Sequence, residues 1–140
     1  MKIKVKIINT KKEHEMCLAI RRQVFILEQN ISKQIETDDY LVNATHILAI
    51  SKEKAVGTAR YRRTDSGIKL ERFAVLKQFR NLGIGKALVL FILDKLKNEK
   101  FIYLNAQESV IGFYDNLGFD PIGEYFYEAE IPHQKMVYSG

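Results

Sequence analysis

Lys69-Leu70-Glu71-Arg72-Phe73-Ala74-Val75-Leu76-Lys77-Gln78-Phe79-Arg80-Asn81-Leu82-Gly83-Ile84-Gly85-Lys86-Ala87-Leu88-Val89-Leu90 reads as a strand from Ile68 to Val75, a short polar and basic turn, and a helix whose first turn holds Gly83 and Gly85. Two glycines at a strand-to-helix turn let another molecule come close to the backbone, since no Cβ intervenes. The first N–H groups of a helix have no partner within it, and the helix dipole adds partial positive charge at the same end. A phosphate group is the natural occupant. Two familiar glycine motifs fail the count. The P-loop needs Gly-x-x-x-x-Gly-Lys followed by Ser or Thr, and here Arg80 stands at the first glycine and Ala87 at the hydroxyl. The dinucleotide fingerprint Gly-x-Gly-x-x-Gly, begun at Gly83, meets Leu88 at its third glycine. Taken alone, the loop is equally compatible with a glycine-softened turn that binds nothing.

The chain has 140 residues, the size of one domain with one sizeable core. A hydrophobic content of 46% with 28% charged residues is ordinary for a globular protein. Lys and Arg outnumber Asp and Glu by 22 to 17, a net charge of +5 that suits an anionic ligand. Nucleic acid would be favoured by the same sign, but the basic residues are scattered, with Arg60, Arg62 and Arg63 the tightest cluster, and a dedicated binder shows a concentrated stripe. Cys17 is the only cysteine, which excludes an intrachain disulfide and a cysteine-rich zinc site; among apolar neighbours it reads as a core filler. No metal site is expected. The amino terminus alternates Lys and Ile or Val instead of forming a signal peptide's apolar run, and no run reaches the ~20 residues of a membrane span. The expectation is a cytoplasmic protein with no membrane partner.

Along the chain, Lys2 to Ile8 has the period of a strand with lysines on its wet face. Thr10-Lys11-Lys12-Glu13 matches a capping box, and Met16, Ile20, Val24 and Leu27 give the following helix a buried stripe as far as about Glu28, with Arg21 and Arg22 outside it. The stretch 30–43 is polar and acidic. Thr45 to Ile50, Ala55 to Arg62 and Ile68 to Val75 make a three-strand meander, with Ser51 to Lys54 and Thr64 to Gly67 as turns. His46 within it reads as structural. After the glycine loop come an apolar helix from Ala87 to Leu96 and a short strand from Phe101 to Leu104. A second helix is expected from a Ser109 cap to Leu117, with Val110, Phe113 and Leu117 buried and Tyr114 facing a cleft, stopped by Gly118. Two strands, Phe119 to Tyr127 and Gln134 to Tyr138, flank Ile131-Pro132-His133.

Arg80-x-x-Gly83-x-Gly85 resembles the acetyl-coenzyme A pyrophosphate loop, Gln/Arg-x-x-Gly-x-Gly/Ala, of the GNAT N-acetyltransferase superfamily. Gly112-Phe113-Tyr114-Asp115-Asn116-Leu117-Gly118-Phe119 resembles that superfamily's second motif, and the order of elements is similar to its fold. Arg21/Arg22-Gln23-Val24-Phe25-Ile26-Leu27-Glu28-Gln29, Asp39, His46, Leu70-Glu71-Arg72, Asn105-Ala106-Gln107 and Ile131-Pro132-His133 resemble the ElaA/YjcF-like branch, although Asn30-Ile31-Ser32-Lys33 departs from its usual prolines and acids. The resemblance implies a single α+β domain over residues 1–140: a mixed, mostly antiparallel, splayed sheet of about 6–7 strands flanked by about 4 helices, with the cofactor inserted between the fourth and fifth strands.

It also implies the chemistry: acetyl transfer from acetyl-CoA to a primary amine by direct attack in a ternary complex. An ammonium with a pKa near ~10 is neutral in only about one molecule per thousand at pH 7, so a base or water chain must take its proton. By the resemblance, Phe73, Ala74 and Val75 supply main-chain bonds to pantetheine and thioester. Arg80, Asn81, Leu82, Gly83, Ile84, Gly85 and Lys86 hold the diphosphate, with Arg80 adding a two-point contact. Asn105 bonds pantetheine or orients the acceptor, and Tyr114 protonates the leaving thiolate. Glu71 is the leading base, with Glu28, His133 and a water relay as rivals. Glu28, Asp39, Arg72 and His133 border the acceptor, and Arg72 braces Glu28 or another acid. A catalytically silent acyl-CoA-binding sensor is the main alternative and a basic nucleic-acid-binding module a weaker one; a homodimer is the open question of assembly.

Overall fold

The computed structural model describes residues 2–33 and 43–140. The strands are β1 (Lys4–Ile7), β2 (Thr45–Ser51), β3 (Lys54–Thr64), β4 (Gly67–Val75), β5 (Ile102–Gln107), β6 (Phe119–Glu128) and β7 (Ile131–Tyr138). They hydrogen-bond in the order β1-β2-β3-β4-β5-β7-β6, and β4 and β5 run parallel. The pairs β1–β2, β2–β3, β5–β7 and β6–β7 are antiparallel. The helices are α1 (Lys11–Arg21), which continues as a π-helical segment over Arg22–Glu28, α2 (Ile84–Lys95) and α3 (Ile111–Asp115). This is the α+β architecture of a mostly antiparallel sheet with flanking helices. The chain divides into two compact units, Met1–Tyr61 with Arg72–Lys97, and Arg62–Glu71 with Asn98–Gly140.

In the first unit, the capping box forms: Thr10 Oγ1 accepts from Glu13 N at 3.0 Å. The Glu13 carboxylate reaches back one residue further than a standard box, to Asn9 N at 2.9 Å, and also binds Lys6 Nζ at 2.6 Å. Lys6 is therefore tied down, and the simple division of β1 into lysine and apolar faces fails; Ile7 is 38% exposed. The buried stripe of α1 is Cys17, Ile20, Val24 and Phe25, packed on Leu48 and Ala74. Expected as its last member, Leu27 is instead 62% exposed. The cause is the π-helical segment, in which Gln29 N bonds Val24 O, five residues back, so each turn takes up an extra residue and Phe25 occupies the inner place. Arg21, expected outside the stripe, is also buried.

Of the three two-residue turns that join consecutive described strands, two have left-handed backbone, Lys52 and Glu53 at φ 50 and 66 and Ala129 and Glu130 at φ 49 and 63, while Asp65-Ser66 does not. Paired positive φ is the geometry that matches strand twist, here without the usual glycine or asparagine. Because the second turn is Ala129-Glu130, Ile131-Pro132-His133 lies inside β7 and not between strands. In the same unit, Ser109 falls in a 3-10 turn (Glu108–Val110), so α3 is only 5 residues long and does not use it as a cap. Tyr114 is the buried residue of α3, whereas Val110 and Phe113 are each 37% exposed, reversing the expected faces. Gly118 does end the helical region, at φ 98.

The helix α2 lies close to β3 because of Gly57. A Cβ there would stand 3.0 Å from Ile84 Cγ2, 3.3 Å from Leu88 Cδ1 and 3.4 Å from the Ala74 carbonyl oxygen. Ile84, Leu88 and Ile92 are buried almost completely, each worth about 1.5–3 kcal/mol in removed apolar surface. Gly57→Val sets strand propensity against packing, and packing is expected to prevail: urea denaturation gives a loss of about 1–3 kcal/mol. A midpoint equal to or above that of the wild type would show that Ile84 and Leu88 retreat at no cost.

Candidate functional site

The glycine loop begins where β4 ends. Lys77–Phe79 form one 3-10 turn, and two left-handed residues follow, Asn81 at φ 64 and Gly83 at φ 85. Left-handed residues of this kind occur in the irregular turns whose successive N–H groups form anion-binding concavities. Gly83 is the N-cap of α2 and no side chain caps the helix, nor does its first turn contain an acid. The first helical bond is Ala87 N to Gly83 O at 3.0 Å, which places the N–H groups of Ile84, Gly85 and Lys86 ahead of the ladder. A Cβ at Gly83 would meet nothing within 4 Å, so the backbone sign and not crowding demands glycine there. Ile84 anchors the turn in the core, while Asn81, Leu82, Gly83 and Lys86 are exposed. The result is an open donor array with partial positive charge.

Arg80, expected to add a two-point contact to a phosphate, has a partner within the chain. Its Nη1 and Nη2 meet Glu28 Oε2 and Oε1 at 2.6 and 2.7 Å, and its Nε donates to Val75 O at 3.0 Å. The hydrogen-bonded fork from Arg80 holds the Glu28 carboxyl below its usual range against a smaller opposing desolvation, with Coulombic help from Arg80 and Lys77. Arg80 shifts upward for the same reason. Glu28 thus pairs with Arg80. Arg72 itself adopts φ 58 within β4, interrupting its extended run next to Phe73, Ala74 and Val75.

The second unit gathers a different set of groups. Tyr114 is 6% exposed, edge-on to Phe113 and Phe119 with ring centroids 5.0 and 5.9 Å away. Burial pushes its hydroxyl above the ordinary phenol range, which keeps it protonated and a donor. His133 is also buried, stacked on Phe126 at 5.9 Å. Its Nδ1 lies 2.7 Å from Ile131 O. A carbonyl only accepts, so Nδ1 carries the hydrogen and a neutral ring keeps its lone pair on Nε2. Glu128 Oε2 stands 3.9 Å from that Nε2, and Glu128 Oε1 is 3.5 Å from Asn105 Nδ2. The carboxylate of Glu71 is already engaged by Arg62 Nε at 2.9 Å and Lys69 Nζ at 3.4 Å.

Glu128 had no signal in the sequence. It comes beside His133 only because the chain reverses at Ala129-Glu130 and pairs Phe126 with His133. Asp39 lies outside the described residues. Among the described residues no group of three or more His, Cys, Asp or Glu is arranged to hold a metal ion, and no helix is long and apolar enough to cross a membrane.

Comparison with known proteins gives a consistent result. The sequence model of the acetyltransferase (GNAT) domain family matches residues 10–139. YjcF of Bacillus subtilis, an uncharacterized N-acetyltransferase, is 35% identical over 122 residues, covering 84% of this chain and 86% of that one. ElaA of Escherichia coli is 32% identical over 126 residues, covering 85% and 82%. Its crystal structure superposes with a TM-score of 0.85 at 26% identity over 99% of this chain and 100% of that one. An acyl-CoA N-acyltransferase from Pseudomonas aeruginosa gives a TM-score of 0.84 at 25% identity over 99% of both chains.

The Arg80–Glu28 pair has a stability signature. A carboxylate with a depressed folded pKa contributes fully above its unfolded value, about 4.3, and loses that contribution as pH falls through the lower folded value. Glu28→Gln is therefore expected to be less stable than the wild type at pH 7, by under about 1 kcal/mol for so accessible a pair. Chemical denaturation should show the gap closing as pH drops below the carboxylate range; a gap constant down to pH 3 would contradict the assignment.

Proposed function

The chain belongs to the GNAT acetyltransferase family, and from that premise we propose that it transfers an acetyl group from acetyl-CoA to a primary amine by direct attack in a ternary complex. The observation that carries the coenzyme half of this reading is the uncapped start of α2, where left-handed Asn81 and Gly83 precede the N–H groups of Ile84, Gly85 and Lys86. Main-chain donors there suit a diphosphate, whose charge the helix end also favours. Main-chain groups of Phe73, Ala74 and Val75 take the pantetheine arm in this reading, as in the family. No metal enters the reaction.

Starting from the ammonium, nitrogen gives up two protons, one to the base before attack and one as the amide forms, while the departing sulfur takes up one and the other passes to solvent. The neutral amine attacks the thioester carbon, the carbonyl oxygen gathers charge, the C–S bond breaks, and the amide forms as coenzyme A leaves. Tyr114 is the proton donor to the departing sulfur, a role its buried, protonated hydroxyl supports. Among Glu71, Glu28 and His133, the histidine is best prepared as the base. Both carboxylates already face cations, whereas the Ile131 carbonyl fixes the His133 tautomer that presents a lone pair at Nε2. Glu128 would then steady the imidazolium after proton uptake. Asn105, bonded to Glu128, orients the acceptor or the pantetheine amide. The amine is a small molecule or a protein amino group.

Calorimetric titration with acetyl-CoA, run beside a thiol-release assay over an amine panel, tests the proposal. Binding with acceptor-dependent release is expected. Binding with no release on any amine would leave an acyl-CoA sensor, and absence of binding would remove the coenzyme reading altogether. Tyr114→Phe and His133→Ala are each expected to lower turnover by about 10²-fold or more while acetyl-CoA affinity stays within about threefold. An unchanged rate in either variant would withdraw that residue from its role.

A further inference from the structure

We propose that Glu28 is a positioning residue for the coenzyme, holding Arg80 as a staple of the phosphate loop so that main-chain amides, and not the Arg80 side chain, grip the diphosphate. The inference rests on the reading of residues 81–86 as the coenzyme cradle. It begins with the inventory of the guanidinium. Arginine has five N–H donors in a rigid plane. Three of them are committed within the chain: Nε to Val75 O at 3.0 Å, and the two terminal nitrogens to Glu28 at 2.6 and 2.7 Å.

The Nε bond spans the turn from its last strand residue to its last basic one, and so closes a ring around residues 75–80. Inside that ring, Phe79 N bonds Leu76 O and Arg80 N bonds Lys77 O, while Leu76 N is tied to Val56 O in β3. Asn81, the first left-handed residue of the cradle, follows directly. Whatever fixes the Arg80 side chain therefore fixes the direction from which the donor array starts.

Glu28 supplies the second point of attachment from a segment 52 residues away in sequence. It is the last residue of the π-helical stretch, where the backbone is pinned on both sides by Gln29 N to Val24 O at 3.1 Å and Ile31 N to Phe25 O at 2.8 Å. Val24 and Phe25 are core residues. The carboxylate is accordingly presented from a fixed base. For a phosphate to take the same two terminal donors, two charge-assisted bonds would have to break, and a phosphate on the two N–H groups left over would lie beside the Glu28 carboxylate.

The two roles for Arg80 predict opposite signs for one substitution. If Arg80 were a direct ligand restrained by Glu28, Glu28→Gln would release it and remove a nearby negative charge, so acetyl-CoA would bind more tightly. As a staple, the same change loosens the turn and weakens binding. The experiment is calorimetric titration of acetyl-CoA into wild type, Glu28→Gln, Glu28→Asp, Arg80→Gln and the Glu28→Gln/Arg80→Gln double variant, at low and high salt, with thermal unfolding of each to verify the fold. Expected are losses of about fivefold or more for each Gln variant, a double variant no weaker than the worse single one, substantial recovery in Glu28→Asp, and salt sensitivity in Arg80→Gln equal to that of the wild type. Tighter or unchanged binding by Glu28→Gln, additive losses, or a salt dependence that flattens only when Arg80 is removed would each overturn the proposal. Failure of the wild type to bind acetyl-CoA would bring down the cradle reading and this inference together; wild-type binding with the wrong sign at Glu28 would bring down the inference alone.

Discussion

The first unit depends on how closely one helix end approaches one strand. Gly57 has no side chain, so Ile84 and Leu88 pack directly over β3 and the first turn of α2 is seated with its N–H groups beyond the core. A larger residue would press first on the Ile84 and Leu88 side chains that seat that end. Gly83 then sets the sign of the backbone at the cap. A binding surface built from main chain has no side chains to readjust, and its accuracy is that of the packing beneath it.

The charged side chains sort themselves by whether their polar atoms are already occupied. Glu13, Glu28 and Glu71 each meet basic groups: Lys6, Arg80, and Arg62 with Lys69. Such carboxylates hold structure together. His133 differs because its one short bond is to a carbonyl, which selects a tautomer without consuming the basic nitrogen. Burial keeps the Tyr114 hydroxyl protonated, with the rings of Phe113 and Phe119 beside it. The polar groups of this chain are thus distinguished by what their atoms already meet.

The glycine loop was legible because it depends on residues adjacent in sequence: Gly83 at the cap, Ile84 in the core, the break after Val75. The capping box at Thr10 and the meander were legible for the same reason. What sequence spacing missed depends on departures from ideal periods. A π-helical turn moved Leu27 outward and Phe25 inward, although the apolar pattern of Met16, Ile20, Val24 and Leu27 fitted an α-helix well. Ala129-Glu130 turned the last hairpin without a glycine or asparagine to announce it. Shortening α3 exchanged the faces of Phe113 and Tyr114. Long-range partners were invisible for a plainer reason: nothing in the residues near Arg80 indicates a carboxylate 52 positions earlier, and nothing near His133 indicates Glu128 before a turn that was not recognised.

Cys17 lies on the buried face of α1, its sulfur 3.7 Å from the Ile47 carbonyl oxygen, and the sequence contains no other cysteine. The native protein is consequently silent toward thiol reagents, which need a solvent-accessible thiolate. Colour developed by such a reagent over a folded sample comes from liberated coenzyme and carries no protein background. Once the helix lifts from the sheet the same sulfur becomes an intrinsic reporter, one mole per mole of chain, of how often the core opens.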